Sequence, residues 1–169
     1  MKEIILQLFQ RDLEKLKTEI SSYKNEKKIW EISGETRLTG GQVKNSAGNL
    51  CLHICGNLQH FIGGVLGNSG YIRNREAEFS RKNVPLIEII NEIEETSRVV
   101  KHTLETLSEG KLIVTYPINV FGDEMTIGFF LTHLTTHLNY HLGQINYHRR
   151  LLDDYFIIGI SLNIICFPW

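Results

Sequence analysis

In four long segments of the chain, apolar residues recur at intervals of three and four, and this pattern most constrains the fold. That spacing places apolar side chains along one face of an α-helix. It predicts helices over about residues 3–23, 46–66, 84–109 and 124–153. Residues 113–120 alternate only loosely and predict a short extended connection. Four amphipathic helices bury their apolar faces against one another, so we expect an all-α fold, a four-helix bundle.

The second predicted helix is apolar around most of its circumference, a pattern typical of a helix that is largely buried. Ser46 stands where an N-cap residue is expected, and the run 67–70, rich in glycine, predicts the end of this helix. The charged segment 71–83 that follows predicts a loop with a short turn.

The length of 169 residues predicts a single domain over 1–169 that buries a core without disulfides. After the fourth helix comes a very apolar C-terminal tail, residues 154–169. A membrane span needs about 20 apolar residues, so the pattern favours a tail that packs on the bundle or on a second subunit.

Charge and cysteine content exclude several functional classes. The net charge is -1, which gives no general attraction to nucleic acid or to an anionic membrane. The three cysteines are too few, and odd in number, for a disulfide framework, which indicates a reducing compartment. No apolar run near the N-terminus resembles a signal peptide, so we expect a cytoplasmic protein.

Histidines are the candidate functional residues, and three of the seven lie four residues apart, at His133, His137 and His141. On a helix, residues four apart occupy adjacent turns with an offset of about 40°, so two such imidazoles can reach one metal ion. His133 and His141 are about 12 Å apart along the axis, too far to share an ion comfortably. The spacing therefore predicts that one adjacent pair binds.

A helical wheel separates the two pairs. His137 and His141 point closest to the centre of the apolar face, whereas His133 points toward its flank, which favours the first pair. A third ligand must come from another helix, where His53 and His60 are seven apart and periodicity does not choose between them.

Two amides could support the ligands through hydrogen bonds: Asn57, one turn from His53, and Gln144, three residues after His141.

Several other chemistries lack their motifs. The chain has no H-E-x-x-H, because leucine follows both His133 and His137, and it has no Glu-x-x-His pair. A metalloprotease helix and a carboxylate-bridged di-iron bundle are thereby disfavoured. G-x-S-x-G, P-loop and G-x-G-x-x-G sequences are also missing from the chain.

The strings NLCLHICGNL, residues 49–58, and HLNYHLGQI, residues 137–145, resemble the DinB/YfiT-like superfamily of metal-dependent four-helix-bundle proteins. The resemblance covers about residues 48–152, and the tail matches nothing in it. It implies an up-down-down-up bundle, often a homodimer, with His53, His137 and His141 as ligands of one nickel, zinc or iron ion completed by water. Some members transfer low-molecular-weight thiols such as bacillithiol, or use mycothiol in isomerisation.

Two functional hypotheses follow. In the first, the chain is a metal-dependent enzyme acting on a small-molecule substrate, because three histidines with an open fourth position form a catalytic pattern. The reaction is then hydrolysis or, as the resemblance implies, transfer of a thiol. His133 and Tyr140 are then the candidates for a general base. In the second, it is a non-catalytic metal-binding or structural dimer, related to stress. The absence of a basic stripe disfavours nucleic-acid binding.

Overall fold

The computed structural model describes residues 1–32 and 44–153, and this part of the chain is all-α. Its five α-helices are α1 (Lys2–Ser21), α2 (Ala47–Leu58), α3 (Arg75–Ser80), α4 (Leu86–Thr106) and α5 (Ile127–Leu152). Short 3₁₀ helices span Glu26–Trp30 and Glu109–Ile113. The described residues contain no strand, only an isolated bridge between Thr115 and Thr126.

The second predicted helix begins where its local sequence predicts and ends in a different helical geometry. The Ser46 side chain accepts a hydrogen bond from the Asn49 backbone N–H at 3.2 Å, which confirms the predicted N-cap. Beyond Leu58 the helix continues as a π-helical turn, Gln59–Gly64. Tyr116 stabilises this turn by donating its hydroxyl to the Phe61 carbonyl at 2.7 Å.

The segment predicted as a loop with a short turn contains a short helix, α3. Asn74 caps this helix, since its side chain accepts a hydrogen bond from the Ala77 N–H at 3.0 Å. Glu76 and Glu78 lie in the first turn, where negative charge stabilises a helix. The prediction of 113–120 as an extended connection is met only in part, because the Glu109–Ile113 3₁₀ helix precedes the bridge at Thr115.

The four longer helices pack side by side. Helix α1 contacts α4 and α5, and α2 contacts the same two helices from the other side. Met1 pairs with Glu109 and the Gln10 amide bonds Ser97, so α1 and α4 run in opposite directions. The Asn139 amide bonds the buried Asp12 carboxylate, and further along both helices Asn146 bonds Glu19, so α1 and α5 run in the same direction.

One apolar core lies between these helices, and α2 is its most enclosed element. All twelve residues of α2 are buried, as its apolar circumference predicted. Phe9 of α1, Ile93 of α4 and Phe130 of α5 are almost fully buried around it. Any polar side chain on α2 is therefore held between helices, and His53 and Asn57 are two of these.

Hydropathy gives no membrane-spanning candidate among the described helices: each is too short or too polar to cross a bilayer. The predicted apolar tail, 154–169, lies outside the described residues, as do residues 33–43 of the predicted loop.

Candidate metal centre

Three histidines meet where α2 faces α5. His53 comes from α2, and His137 and His141 come from adjacent turns of α5. One ring nitrogen of each lies within 4.8 Å of the other two. The His53 ring centroid is 5.2 Å from each of the other rings, and those of His137 and His141 are 4.6 Å apart. The structure thus brings together the set of residues that the resemblance implied.

The two alternative histidines lie outside this group. His133 stacks against Phe130, at 6.0 Å between ring centroids, and its ring is 6.2 Å from that of His137. His60, the second residue of the π-helical segment, packs against Phe61 at 4.8 Å between ring centroids. Neither belongs to the described cluster that could hold an ion.

His53 is oriented by a carboxylate. Its Nδ1 lies 2.9 Å from Oε2 of Glu78 on α3, and Arg73 donates to both oxygens of that carboxylate at 2.7 and 2.9 Å. An ionised carboxylate only accepts hydrogen bonds, so the His53 proton resides on Nδ1. Its Nε2 lone pair is then free for a metal ion, as in carboxylate–histidine–metal arrangements.

Gly56 makes room for this carboxylate. A Cβ at this position would overlap the Glu78 side chain, which packs directly against the α2 backbone. Two hydrogen-bonding partners, His53 and Arg73, hold the carboxylate at that spot. Glycine is therefore required by close approach here, rather than by a left-handed backbone.

Gln144 orients His141, as the sequence predicted. Nδ1 of His141 lies 2.7 Å from Oε1 of Gln144, so the ring donates there and Nε2 carries the lone pair. The predicted bond from Asn57 to His53 is wrong, since Glu78 occupies that position. The Asn57 Oδ1 is instead buried and has no hydrogen-bond partner among the described residues.

Glu78 and Arg73 are the functional candidates that sequence reasoning missed. Both lie in the segment interpreted as a charged loop. A signal was present, because Asn74 followed by two glutamates is typical of a helix start. Yet nothing in that pattern says that the helix packs on α2, or that its second glutamate turns inward.

The surroundings favour the neutral forms of His137 and His141. Burial is the main cause that lowers the pKa of His137 to about 4, and the neighbouring His141 and His53 contribute to the same shift. Burial also lowers the pKa of His141, against the opposing effect of its bond to Gln144. Burial by itself would raise the pKa of Glu78, but the hydrogen bonds from His53 and Arg73 outweigh it and lower the pKa. The neutral imidazole is the form of histidine that binds a metal cation.

The geometry fits a metal ion. The Nε2 atoms of His137 and His141 are 3.1 Å apart. Two nitrogens at about 2.0–2.1 Å from one ion are about 2.9 Å apart in octahedral and about 3.4 Å apart in tetrahedral geometry, so the observed distance lies between the two. All three donors are imidazoles, which suit zinc, nickel and iron.

The site opens into two pockets. One, of about 360 Å³, includes His53 and His137 in its wall, and the other, of about 500 Å³, includes His141. A metal ion between the rings would therefore have free coordination positions within reach of small molecules, unlike a closed structural site.

Fold and site together define the class: an all-α protein with a cluster of three histidines that could hold a metal ion. The chain belongs to the DUF1572 family, described as a protein of unknown function, whose model matches residues 8–163. A search of curated proteins finds no match to this chain.

Proposed function

We propose that the protein binds one divalent metal ion through His53, His137 and His141. The observation that carries the proposal is the convergence of three ring nitrogens within 4.8 Å. Hydrogen bonds to Glu78 and Gln144 support it, because both direct a free Nε2 toward the others. Such partners matter in known metal sites, where their loss typically lowers metal affinity about 10–100-fold.

Metal content tests this proposal. Elemental analysis of protein purified without an affinity tag or chelator should give about one equivalent of nickel, zinc or iron per chain. His141→Ala should lose this ion, whereas His133→Ala, which alters the same helix outside the cluster, should retain it. Retention of a tightly held ion by His141→Ala would refute the assignment.

We further propose that the protein is DinB-like, with an up-down-down-up order of helices. The opposed directions of α1 and α4 and the shared direction of α1 and α5 support this order. So does the pairing of α2 with α5, in which His53 meets His141 while Phe61, further along α2, meets Phe130, earlier on α5.

The activity we propose is metal-dependent transfer of a low-molecular-weight thiol to an electrophilic substrate. A divalent ion in this site would lower the pKa of a thiol and so supply a thiolate at neutral pH. The thiolate sulfur bonds to the electrophilic carbon, the leaving group departs with its electron pair, and the thiol proton passes to solvent. The two pockets beside the histidines support two reactants, one on each side.

A thiol-transfer assay tests the activity separately from metal binding. Metal-loaded protein, bacillithiol and 1-chloro-2,4-dinitrobenzene should release chloride and form the thioether faster than thiol alone. His141→Ala should show only the background rate. If loaded protein gave no acceleration with this or other small thiols, the non-catalytic metal-binding hypothesis would be the better one.

We also propose that the protein is a cytoplasmic homodimer. Tyr140, Tyr147 and Leu151 are exposed on α5, and an apolar surface of this kind supports a dimer contact. Cys51 and Cys55 are free thiols, in keeping with a reducing compartment. Light scattering on the purified full chain gives the mass in solution, and a monomer at all accessible concentrations would exclude the dimer.

A further inference from the structure

The pocket beside His53 and His137 is lined by aromatic and cationic residues that a metal ion at the histidines does not need. Three phenylalanines form its apolar part, Phe61, Phe121 and Phe130, which contact one another edge to face at 5.2 and 5.9 Å. At about 360 Å³ it is within the usual size range of small-molecule sites. Aromatic walls of this kind favour a planar apolar body.

Two arginines are the charged residues in the described wall of this pocket. Arg73 and Arg75 line it, and no carboxylate does so among the described residues. Arg73 donates two hydrogen bonds to the Glu78 carboxylate, so its guanidinium is held in place and is not available to a ligand. Since Glu78 balances the charge of Arg73, the positive charge of Arg75 is what favours an anion in this pocket.

Arg75 is the cation that remains available. Its side chain is exposed and stacks over the Phe79 ring at 5.6 Å, and the described part of the chain gives its guanidinium no carboxylate partner. Stacking holds the planar group in place while its N–H donors stay free for a carboxylate, which guanidinium groups bind in two-point geometry.

Asn57 supplies an independent sign of a ligand. The residue lines the same pocket one turn from His53, is only 7% exposed, and has a buried Oδ1 with no partner in the described chain. An unpaired buried amide costs about 1–3 kcal/mol, and sites retain such a group where a ligand completes its hydrogen bonds.

We propose that this pocket binds a small organic carboxylate with an aromatic body: the phenylalanines contact the body, Arg75 binds the carboxylate, and Asn57 binds a polar group on the body. The inference deepens the proposed function, because it names the class of the substrate that would meet the metal-activated thiol. Binding of this carboxylate does not require the metal, since neither Arg75 nor the phenylalanines belong to the histidine cluster.

The test uses 3-phenylpropionate and its primary amide as probes, with the full chain and calorimetry or ligand-observed NMR. Binding is measured on chelator-treated protein, so that a carboxylate–metal bond cannot contribute. We expect the acid to bind at least about fivefold more tightly than the amide, as the loss of a charge-assisted hydrogen bond implies. Arg75→Gln should bind acid and amide alike, whereas Arg150→Gln, an exposed arginine outside the pocket, should match wild type.

A second pair of probes addresses Asn57. The para-hydroxyl analogue, 3-(4-hydroxyphenyl)propionate, should bind wild type more tightly than 3-phenylpropionate, and Asn57→Leu should abolish that difference. The proposal is overturned if wild type does not bind the acid, if the amide binds equally well, or if Arg75→Gln retains the preference. Metal content, measured in parallel, reports on the proposed metal site separately from these outcomes.

Discussion

Glu78 Oε2 lies 2.9 Å from His53 Nδ1, although α3 and α2 are separated by the whole π-helical turn and the segment after it. Arg73 donates hydrogen bonds to both oxygens of the same carboxylate. The arrangement links a short helix, which the sequence pattern did not predict, to the protonation state of a candidate metal ligand.

Replacing Glu78 with Gln should weaken metal binding about 10–100-fold. The amide can still accept a bond from His53, but it no longer offers the negative charge that fixes the proton on Nδ1 and balances Arg73. Competition with a chromogenic chelator measures the affinity. Glu76→Gln, an exposed change on the same helix, is the matched control and should leave the affinity unchanged. An equal effect of both variants would mean that the charge acts only at long range.

Gly56→Ala should lower metal affinity without unfolding the protein. The added methyl group overlaps the Glu78 carboxylate, which must withdraw from its place beside His53. Alanine favours a helix by about 1 kcal/mol relative to glycine, which offsets part of the cost to stability. Chelator competition and thermal unfolding are the two measurements.

Gly143→Ala is the control for the Gly56 variant. A Cβ at Gly143 meets nothing within 4 Å, so this change on α5 should stabilise slightly, by about 0.5–1 kcal/mol, and leave affinity unaltered. If Gly56→Ala bound metal as well as Gly143→Ala does, the packing of Glu78 against α2 would be irrelevant to the site.

Asn57→Leu should raise the free energy of unfolding by about 1 kcal/mol, because it removes a buried amide oxygen that has no partner in the described chain. Asn49→Leu on the same helix should do the opposite. The Asn49 amide donates to the carbonyls of Glu78 and Arg81 at 3.1 and 2.9 Å, and its loss should destabilise by about 1–3 kcal/mol. Urea unfolding of the metal-free variants measures both, and a destabilised Asn57→Leu would show that the amide is satisfied in solution.

Acidification should destabilise the metal-free protein before its carboxylates titrate. The pKa of His137 falls from about 6.5 in the unfolded chain to about 4 in the fold, mainly through burial. Between these values the unfolded chain binds a proton that the folded chain does not, so stability rises with pH across this window and is lost toward pH 4. Urea midpoints at pH 7 and pH 5 measure the effect.

His137→Gln should flatten that pH dependence, because the variant has no group to titrate at this position. His102→Gln, which alters an exposed histidine of α4, should retain the wild-type slope. The same slope in both variants would assign the effect to other groups, among them His141 and His148, whose pKa values are also lowered by burial.

The sequence by itself determined the helical architecture and the histidines that could bind a metal ion. Apolar spacing fixed the long helices to within a few residues, because a 3.6-residue period reflects which face is buried. The helical wheel also favoured His137 with His141, since both point closer to the centre of the apolar face than His133 does. Neither argument depends on where the other helices lie.

Only the tertiary structure decided what meets these histidines. Whether His53 or His60 faces α5 depends on how α2 is placed against it, and seven residues of spacing cannot distinguish them. The contact of Glu78 with His53 and the position of Arg75 in the pocket wall depend on α3 packing against α2, where Gly56 leaves space for Glu78. Contacts between distant segments arise from shape and burial summed over the whole core, whereas periodicity records only the local preference of each helix.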